Sequence, residues 1–293
     1  MKIDTKHKIW LAAIAYKIIA FIRSSFRRDD NIQLRRSGVN WELDLREGID
    51  FSIYLLGGFE LGTLRLYKKL LGQKSGEIVL DIGANIGAHV LPLACLVVPR
   101  GGKVYAFEPT DFAYAKLLRN IMLNPSVSEG IVPLQLMLVE EDGIPVDQEI
   151  YASWPLVDGR ELHPNHHGKL KTTRGATSLS LDSFVDIHNI QRIDFIKLDV
   201  DGHEADVLKG ATLSLQRFYP TLLMEWAPNL FVDDSMYLAL AHLLEMGYKL
   251  YDGASGCQIL GGYEELNRRT PQKGSMNILL SLQDEQTCCK YNL

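Results

Sequence analysis

The chain is poor in cysteine, in net positive charge and in long apolar runs, and each shortage removes a class of protein. Four cysteines stand among 293 residues, Cys95, Cys257, Cys288 and Cys289, and none forms a C-x-x-C pair with a matching partner. Neither a zinc ribbon nor a disulfide scaffold fits that usage. It suits a reducing, cytoplasmic compartment. Cys95 lies in an apolar run and reads as a small buried hydrophobe. The net charge of −5 argues against a general nucleic-acid binder. The apolar segment Ile9–Ile22 has 14 residues, broken by Lys17. As helix, at about 1.5 Å per residue, it falls well short of a roughly 30 Å bilayer core. Lys17 also splits any signal-peptide core, and no clean cleavage site follows.

What is present is an ordinary globular composition, 46% hydrophobic and 23% charged, with a core large enough to need no staple. The charge is unevenly spread. Residues 1–36 carry nine Lys/Arg against three Asp, whereas the remainder carries 22 against 33. A basic arm on an acidic body suggests two readings of Ile9–Ile22: a helix docked on the protein's own core, or an interfacial helix in peripheral contact with a membrane. Residues 23–38 read as a polar linker.

From residue 39 the pattern is structured. Trp41, Leu43 and Leu45 alternate with charges, a half-buried strand ending at Gly48. Residues 51–71 read as two helical pieces broken at Gly57-Gly58. Seven apolar strands then fall at 78–82, 103–107, 131–139, 193–198, 221–225, 248–251 and 276–282. Helices between most of them fall at 88–98, 112–123, 204–215 and 235–246. Alternation of this kind implies a mostly parallel, doubly wound sheet with helices on both faces. No helix is evident between the last two strands, so the last strand is expected to run antiparallel at the sheet edge. Residues 143–180 show no clear period and read as a long functional connection, the sort that walls a substrate site.

The first strand runs into Val79-Leu80-Asp81-Ile82-Gly83-Ala84-Asn85-Ile86-Gly87. The carboxyl end of the first strand is where open α/β sheets bind nucleotides. The spacing is G-x-x-x-G, without the middle glycine of the dinucleotide fingerprint, so a ligand with adenosine but no pyrophosphate suits it better. S-adenosylmethionine (SAM) is such a ligand. Asp81 can anchor the loop or meet a cationic end. Glu108, ending the second strand, stands where an acid accepts from both ribose hydroxyls. Glu140, after the third strand, can accept from an adenine amine.

Three blocks together, V-L-D-I-G-A-N-I-G, V-Y-A-F-E-P and F-I-K-L-D-V-D-G-H-E-A-D-V-L-K-G-A, resemble the FkbM family of SAM-dependent methyltransferases over about residues 41–282. The resemblance implies a class I methyltransferase (Rossmann-like) fold over 77–283, with 39–76 as its N-terminal cap and 284–293 as a tail. It implies SAM as methyl donor and methylation of a hydroxyl on a sugar, a lipid or a secondary metabolite. Residue by residue, it implies cofactor contacts at Asp81, Gly83, Asn85, Gly87 and Glu108. Glu140 stands where the family often has Asp.

Asp199 ends the fourth strand on the same face as Lys197. Asp201 is an expected N-cap of the following helix, and Glu204 is placed to serve its dipole. Asp199, His203 and Glu225 are the candidates to handle the acceptor's proton, either as a metal-free base or with Asp199 and Glu225 holding Mg²⁺. The metal-free base is the reading adopted. His163, His166 and His167 lack ligand spacing and are not taken as a metal site. A metal-dependent glycosyltransferase using Asp199-x-Asp201, a nicotinamide oxidoreductase and a catalytically idle Rossmann-like module are the alternatives.

Overall fold

The computed structural model describes residues 5–152, 154–157, 168–228, 233–271 and 274–282, with side chains from residue 11 onward. His163, His166, His167, Cys288, Cys289 and the 284–293 tail lie outside the described residues.

The chain opens with helix α1 (Thr5–Ser25), the strands β1 (Asn31–Arg36) and β2 (Val39–Asp44), and the helices α2 (Gly48–Leu56) and α3 (Leu61–Leu70). The sheet domain begins with β3 (Ile78–Ile82), α4 (Val90–Val97), β4 (Lys103–Phe107), α5 (Asp111–Met122), α6 (Pro125–Ser128) and β5 (Ile131–Leu134). The stretch β6 (Leu136–Leu138), β7 (Glu149–Ala152), β8 (Lys169–Thr172) and β9 (Thr177–Leu179) follows, then α7 (Leu181–Ile187). The second half holds β10 (Phe195–Leu198), α8 (Glu204–Lys209), α9 (Thr212–Phe218) and β11 (Thr221–Trp226). Last come α10 (Ser235–Glu245), β12 (Lys249–Asp252), α11 (Gly262–Arg269) and β13 (Met276–Ser281).

The main sheet has seven strands in the order β12-β13-β11-β10-β3-β4-β5. The pairs from β11 through β5 are parallel, and β13 runs antiparallel to both β11 and β12. This is the class I methyltransferase sheet, with the last strand reversed as expected but inserted between β11 and β12 rather than placed at the edge, which β12 occupies. Period-two alternation divides the core. Val79, Val104, Phe195, Leu223 and Leu279 face one cluster with α1 to α5. Leu80, Phe107, Ile196, Leu222 and Leu280 face the other, with α7 to α10.

Several boundaries differ from the sequence reading. The polar linker contains β1, which forms a hairpin with β2 through Ser37-Gly38. Ile32 and Leu34 alternate with polar residues there and pack on the core, a strand signal masked by the surrounding arginines. Residues 131–139 break at Gln135. Beyond it, β6 leaves the main sheet and pairs with β9. The helix expected over 204–215 is two helices. A Cβ at Gly210 would sit 2.1 Å from the carbonyl oxygen of Val139, so the chain there approaches another backbone too closely for any side chain. A helix, α11, lies between the last two strands. It is polar on most sides, with Glu265 bonded to Arg268 and Arg269, so its apolar period is faint. Cys95 is exposed rather than buried. Helix α4 buries Val90, Leu91, Leu93, Ala94 and Val97 and leaves that position outside.

Candidate functional site

Strand order reverses between β3 and β10, because the chain winds from β3 outward to β4 and β5, then returns to β10. Ligands of open α/β sheets bind at the carboxyl ends of such a switch point. A cavity lies there, lined by Ile82, Gly83, Asn85, Phe107, Glu108 and Pro109 from the first two strand ends. Leu136, Met137 and Leu138 of β6, Ile150, Tyr151 and Ala152 of β7, and Asp199, Val200, Asp201 and His203 after β10 complete it. The described part of the stretch without period thus contains short strands, and one of them, β7, walls the cavity.

Gly83 has φ +86°, and a Cβ there would lie 1.8 Å from the backbone oxygen of Asp199. The glycine lets the loops after β3 and β10 touch. Asn85 also has positive φ (48°), a conformation asparagine tolerates better than most residues. Its backbone N–H donates to Glu108 at 2.8 Å. Glu108 also accepts from the N–H and hydroxyl of Thr110. A carboxylate offers about four acceptor positions, so about one is left for a ligand rather than the pair expected for two ribose hydroxyls. Burial pushes the Glu108 carboxyl up, and the bonds from Thr110 and Asn85 oppose the shift. Gly87 packs beside Leu117 and lies outside the cavity lining. The structure does not bring Glu140 to the cavity. Its carboxylate pairs with Lys209 at 2.9 Å on the surface, because the break at Gln135 brings β6 to the wall and carries the chain past it.

Opposite the glycine loop is a charged cluster. Lys197 is buried within the sheet, 3.0 Å from Asp199 and 3.8 Å from Asp81. Burial alone would lower its pKa, but Asp199 and Asp81 outweigh it and hold the ammonium charged. Among the described residues, Asp81 has no hydrogen-bond partner on either oxygen. Its burial pushes it up to about 7, opposed by Lys197 and reinforced by Asp199 and Glu108. The nearer Asp199 is therefore the ionic partner of Lys197, and Asp81 is the weaker one. Asp199, Asp201 and Glu225 each present an oxygen within 4.8 Å of the others. Burial, then the charges of Asp199 and Asp201, raises Glu225 well above the carboxylate range. Asp201 is pushed the same way by the charges of Asp199 and Glu204, but it is exposed, so burial weighs less on it than on Glu225.

Asp201 is not the N-cap. It sits at φ +53°, and His203 occupies the cap position without a side-chain bond. Glu204 holds the turn instead, accepting from the N–H of Val200 at 2.9 Å and of Gly202 at 3.1 Å. His203 lines the cavity, and its Nδ1 lies 3.6 Å from Asp206.

The sequence reading misses Glu60 and Asn277. Asn277 stands beside Glu225 in the β11–β13 register and donates to Glu60 at 3.0 Å. Thr63 donates to Glu60 as well, and Nε2 of His89 lies 3.7 Å away. Glu60 has φ +48° without being glycine. Only the strand pairing, invisible in sequence, brings these residues to the acid cluster.

The buried acids set a pH dependence of stability. Asp81 and Glu204 are both raised to about 7, each first by burial. Because their folded pKa values exceed the unfolded ones, the stability they contribute is complete below about pH 4 and is lost as pH rises towards 7. Buried His89, lowered well below its ordinary value, opposes them below about pH 6.5. With Asp50, Glu60, Glu108 and Glu225 raised in the same direction, the acids outweigh the one base. The melting temperature of the ligand-free protein is therefore expected to fall from pH 5.5 to pH 8, by on the order of 5 °C. Calorimetry across that range tests this, and a rising melting temperature would refute it.

A family model for the methyltransferase FkbM domain matches residues 81–250. Hexuronic acid methyltransferase AglP of Haloferax volcanii is 29% identical over 140 residues, which are 48% of this chain and 52% of that protein. The match thus spans about half of that relative's length. Methyltransferase 1 of Beauveria bassiana is 26% identical over 183 residues, covering 55% of this chain and 72% of the relative. Among solved structures, Methyltransferase FkbM from Methylobacillus flagellatus KT is similar over 70% of this chain and 43% of its own, at 18% identity and a TM-score of 0.43. With the family model covering more than half of its residues, the chain belongs to the FkbM family of methyltransferases.

Proposed function

We propose that the protein is a SAM-dependent methyltransferase that methylates a hydroxyl of a small acceptor: a sugar, a lipid or a secondary metabolite. The observation that carries the reading is one crevice that joins an apolar slot to a carboxylate cluster. Ile82, Phe107, Leu136 and Leu138 suit an adenine, Glu108 keeps one acceptor position for a ribose hydroxyl, and the Gly83 turn permits close backbone approach. Asp81 is fully buried and outside the cavity lining, so its part is to help hold the Lys197 ammonium beside the site. SAM, when bound, supplies a methyl group on a good leaving group. The chain's own work is then to orient the acceptor and take its proton.

Asp199, Asp201 and Glu225 are the groups proposed to take that proton, with Ser275 bonded to Glu225. His203, half-exposed and beside Asp206, is the weaker candidate. The same three oxygens suit Mg²⁺ in donor type. Asp199, however, already binds the ammonium of Lys197, whose charge repels a second cation beside it. The metal-free reading is retained for that reason. The hexuronic acid in the name of the Haloferax relative supports the sugar class without specifying this acceptor.

A thermal-shift panel tests the cofactor. SAM and its demethylated product raise the melting temperature, whereas a UDP-sugar and NAD do not; a ligand at 100 times its Kd stabilises by about 2.7 kcal/mol. Glu108→Ala weakens SAM binding by roughly 10–100-fold, the value of a charge-assisted hydrogen bond together with the loop it holds. Stabilisation by the UDP-sugar instead of SAM would favour the glycosyltransferase reading.

A further inference from the structure

We infer that helix α1 carries a membrane-surface binding face for anionic lipid. The sequence leaves two homes for this helix, and the structure divides it between them. One side docks on the protein. Ala12, Ala15, Ile19 and Ala20 pack on the core, and Tyr16 is buried edge-on against Phe51 with its hydroxyl donating to Asp30 at 2.7 Å. The other side stays uncovered. Leu11, Ile14, Ile18, Phe21 and Ile22 recur at three- and four-residue steps, a single stripe along the helix, and all are exposed. Phe21 is 74% exposed, and Phe26, just beyond the helix, is 72% exposed. A row of large apolar side chains facing water marks an interaction surface.

Charge identifies the occupant. Ile22 and Phe26 share an open cleft with Arg23 and Arg28. Arg27, Arg28 and Arg35 form no ion pair among the described residues. Residues 1–36 hold nine Lys/Arg against three Asp, while the rest of the chain holds 22 against 33. An anionic surface would therefore attract this arm and repel the body, which fixes the orientation as well as the contact. No described helix is long and apolar enough to cross a membrane, and the docked side could not enter lipid without leaving the core. A helix so placed lies in the interface, its apolar stripe among the acyl chains and its arginines at the headgroups. Apolar burial and basic charge act together there, and neither suffices alone.

The test is sedimentation of the full chain with phosphatidylcholine vesicles, with and without phosphatidylglycerol. Binding is expected only with phosphatidylglycerol, and salt should weaken it. Phe21→Ser with Phe26→Ser should reduce partitioning about tenfold or more, from the apolar area lost. Arg27→Glu with Arg28→Glu should reduce it comparably and flatten the salt dependence. All four positions are exposed, so each double variant should melt like the parent. Absence of binding to anionic vesicles overturns the inference, as does binding indifferent to both double variants. Light scattering on the vesicle-free protein supplies the other outcome: a dimer dissolved by the phenylalanine pair would make this face a contact between two copies of the chain.

Discussion

Gly83→Ala should abolish SAM binding and lower the melting temperature by on the order of 10 °C. The new methyl group would stand 1.8 Å from the backbone oxygen of Asp199. A flexible side chain could swing aside, but a backbone carbonyl moves only with its strand. That strand is fixed at this point, since Asp199 donates to Ile82 at 3.1 Å and Gly83 donates to Phe107 at 3.0 Å. Relief would require β10 to separate from β3 at the switch point. The φ of +86° adds about 1–2 kcal/mol for any residue with a Cβ. Overpacking adds about 1–3 kcal/mol, and each kcal/mol shifts the melting temperature by about 2–4 °C in a domain of this size. Gly62→Ala is the control. A Cβ there meets nothing within 4 Å inside α3, so alanine should leave binding intact and raise stability slightly. Equal SAM affinity in Gly83→Ala and the parent would remove the glycine turn from the cofactor site.

The glycine turn shows why so much of the sheet is legible in the sequence. Ile78–Ile82 is continuously apolar up to Asp81 because both faces of that strand are covered, and Gly83 follows because two backbones meet there. Both properties are local. The same holds for Asp199, whose place after β10 follows from Lys197 two residues earlier on the same face. Where pairing is not local, legibility ends. Glu140 is three residues from Met137, which lines the cavity, yet the break at Gln135 and the partner β9 send it out to Lys209. Glu60 reaches Asn277 across 217 positions, and nothing near Gly57-Gly58 announces an acid at the far edge of the site. Strand β1 is obscured differently. Its alternation is real, but it is a two-stranded ribbon whose outer positions, Asn31, Gln33 and Arg35, are exposed and polar, so its composition imitates a linker. Helix α11 has a single buried residue, Leu266, too little for a helical period to emerge.

Glu225→Gln should reduce turnover by roughly 10²–10⁴-fold, the range for losing a positioned proton acceptor, while leaving SAM affinity within a few-fold of the parent. Three carboxylates with oxygens within 4.8 Å cannot all be ionised without a cation to share. Lys197 compensates Asp199 at 3.0 Å, so the proton retained at neutral pH lies first on Glu225, raised by burial and by Asp199 and Asp201, while Asp201, on the exposed side of the cluster, ionises the more readily of the two. A base must be deprotonated to act. Turnover should therefore climb as pH rises through neutrality, with a limb that belongs to the cluster rather than to one residue. Asp201→Asn removes one negative neighbour of Glu225, which favours the ionised form of Glu225. The limb should move to lower pH in that variant, with turnover at its plateau less affected than in Glu225→Gln. His203→Ala should retain most activity and leave the limb in place. Chelation separates the two chemistries open to these carboxylates. If EDTA abolishes turnover and Mg²⁺ restores it, the acids are metal ligands and the metal-free assignment fails. If instead Glu225→Gln and Asp199→Asn both keep full turnover, the acceptor's proton leaves by another route and the cluster is structural.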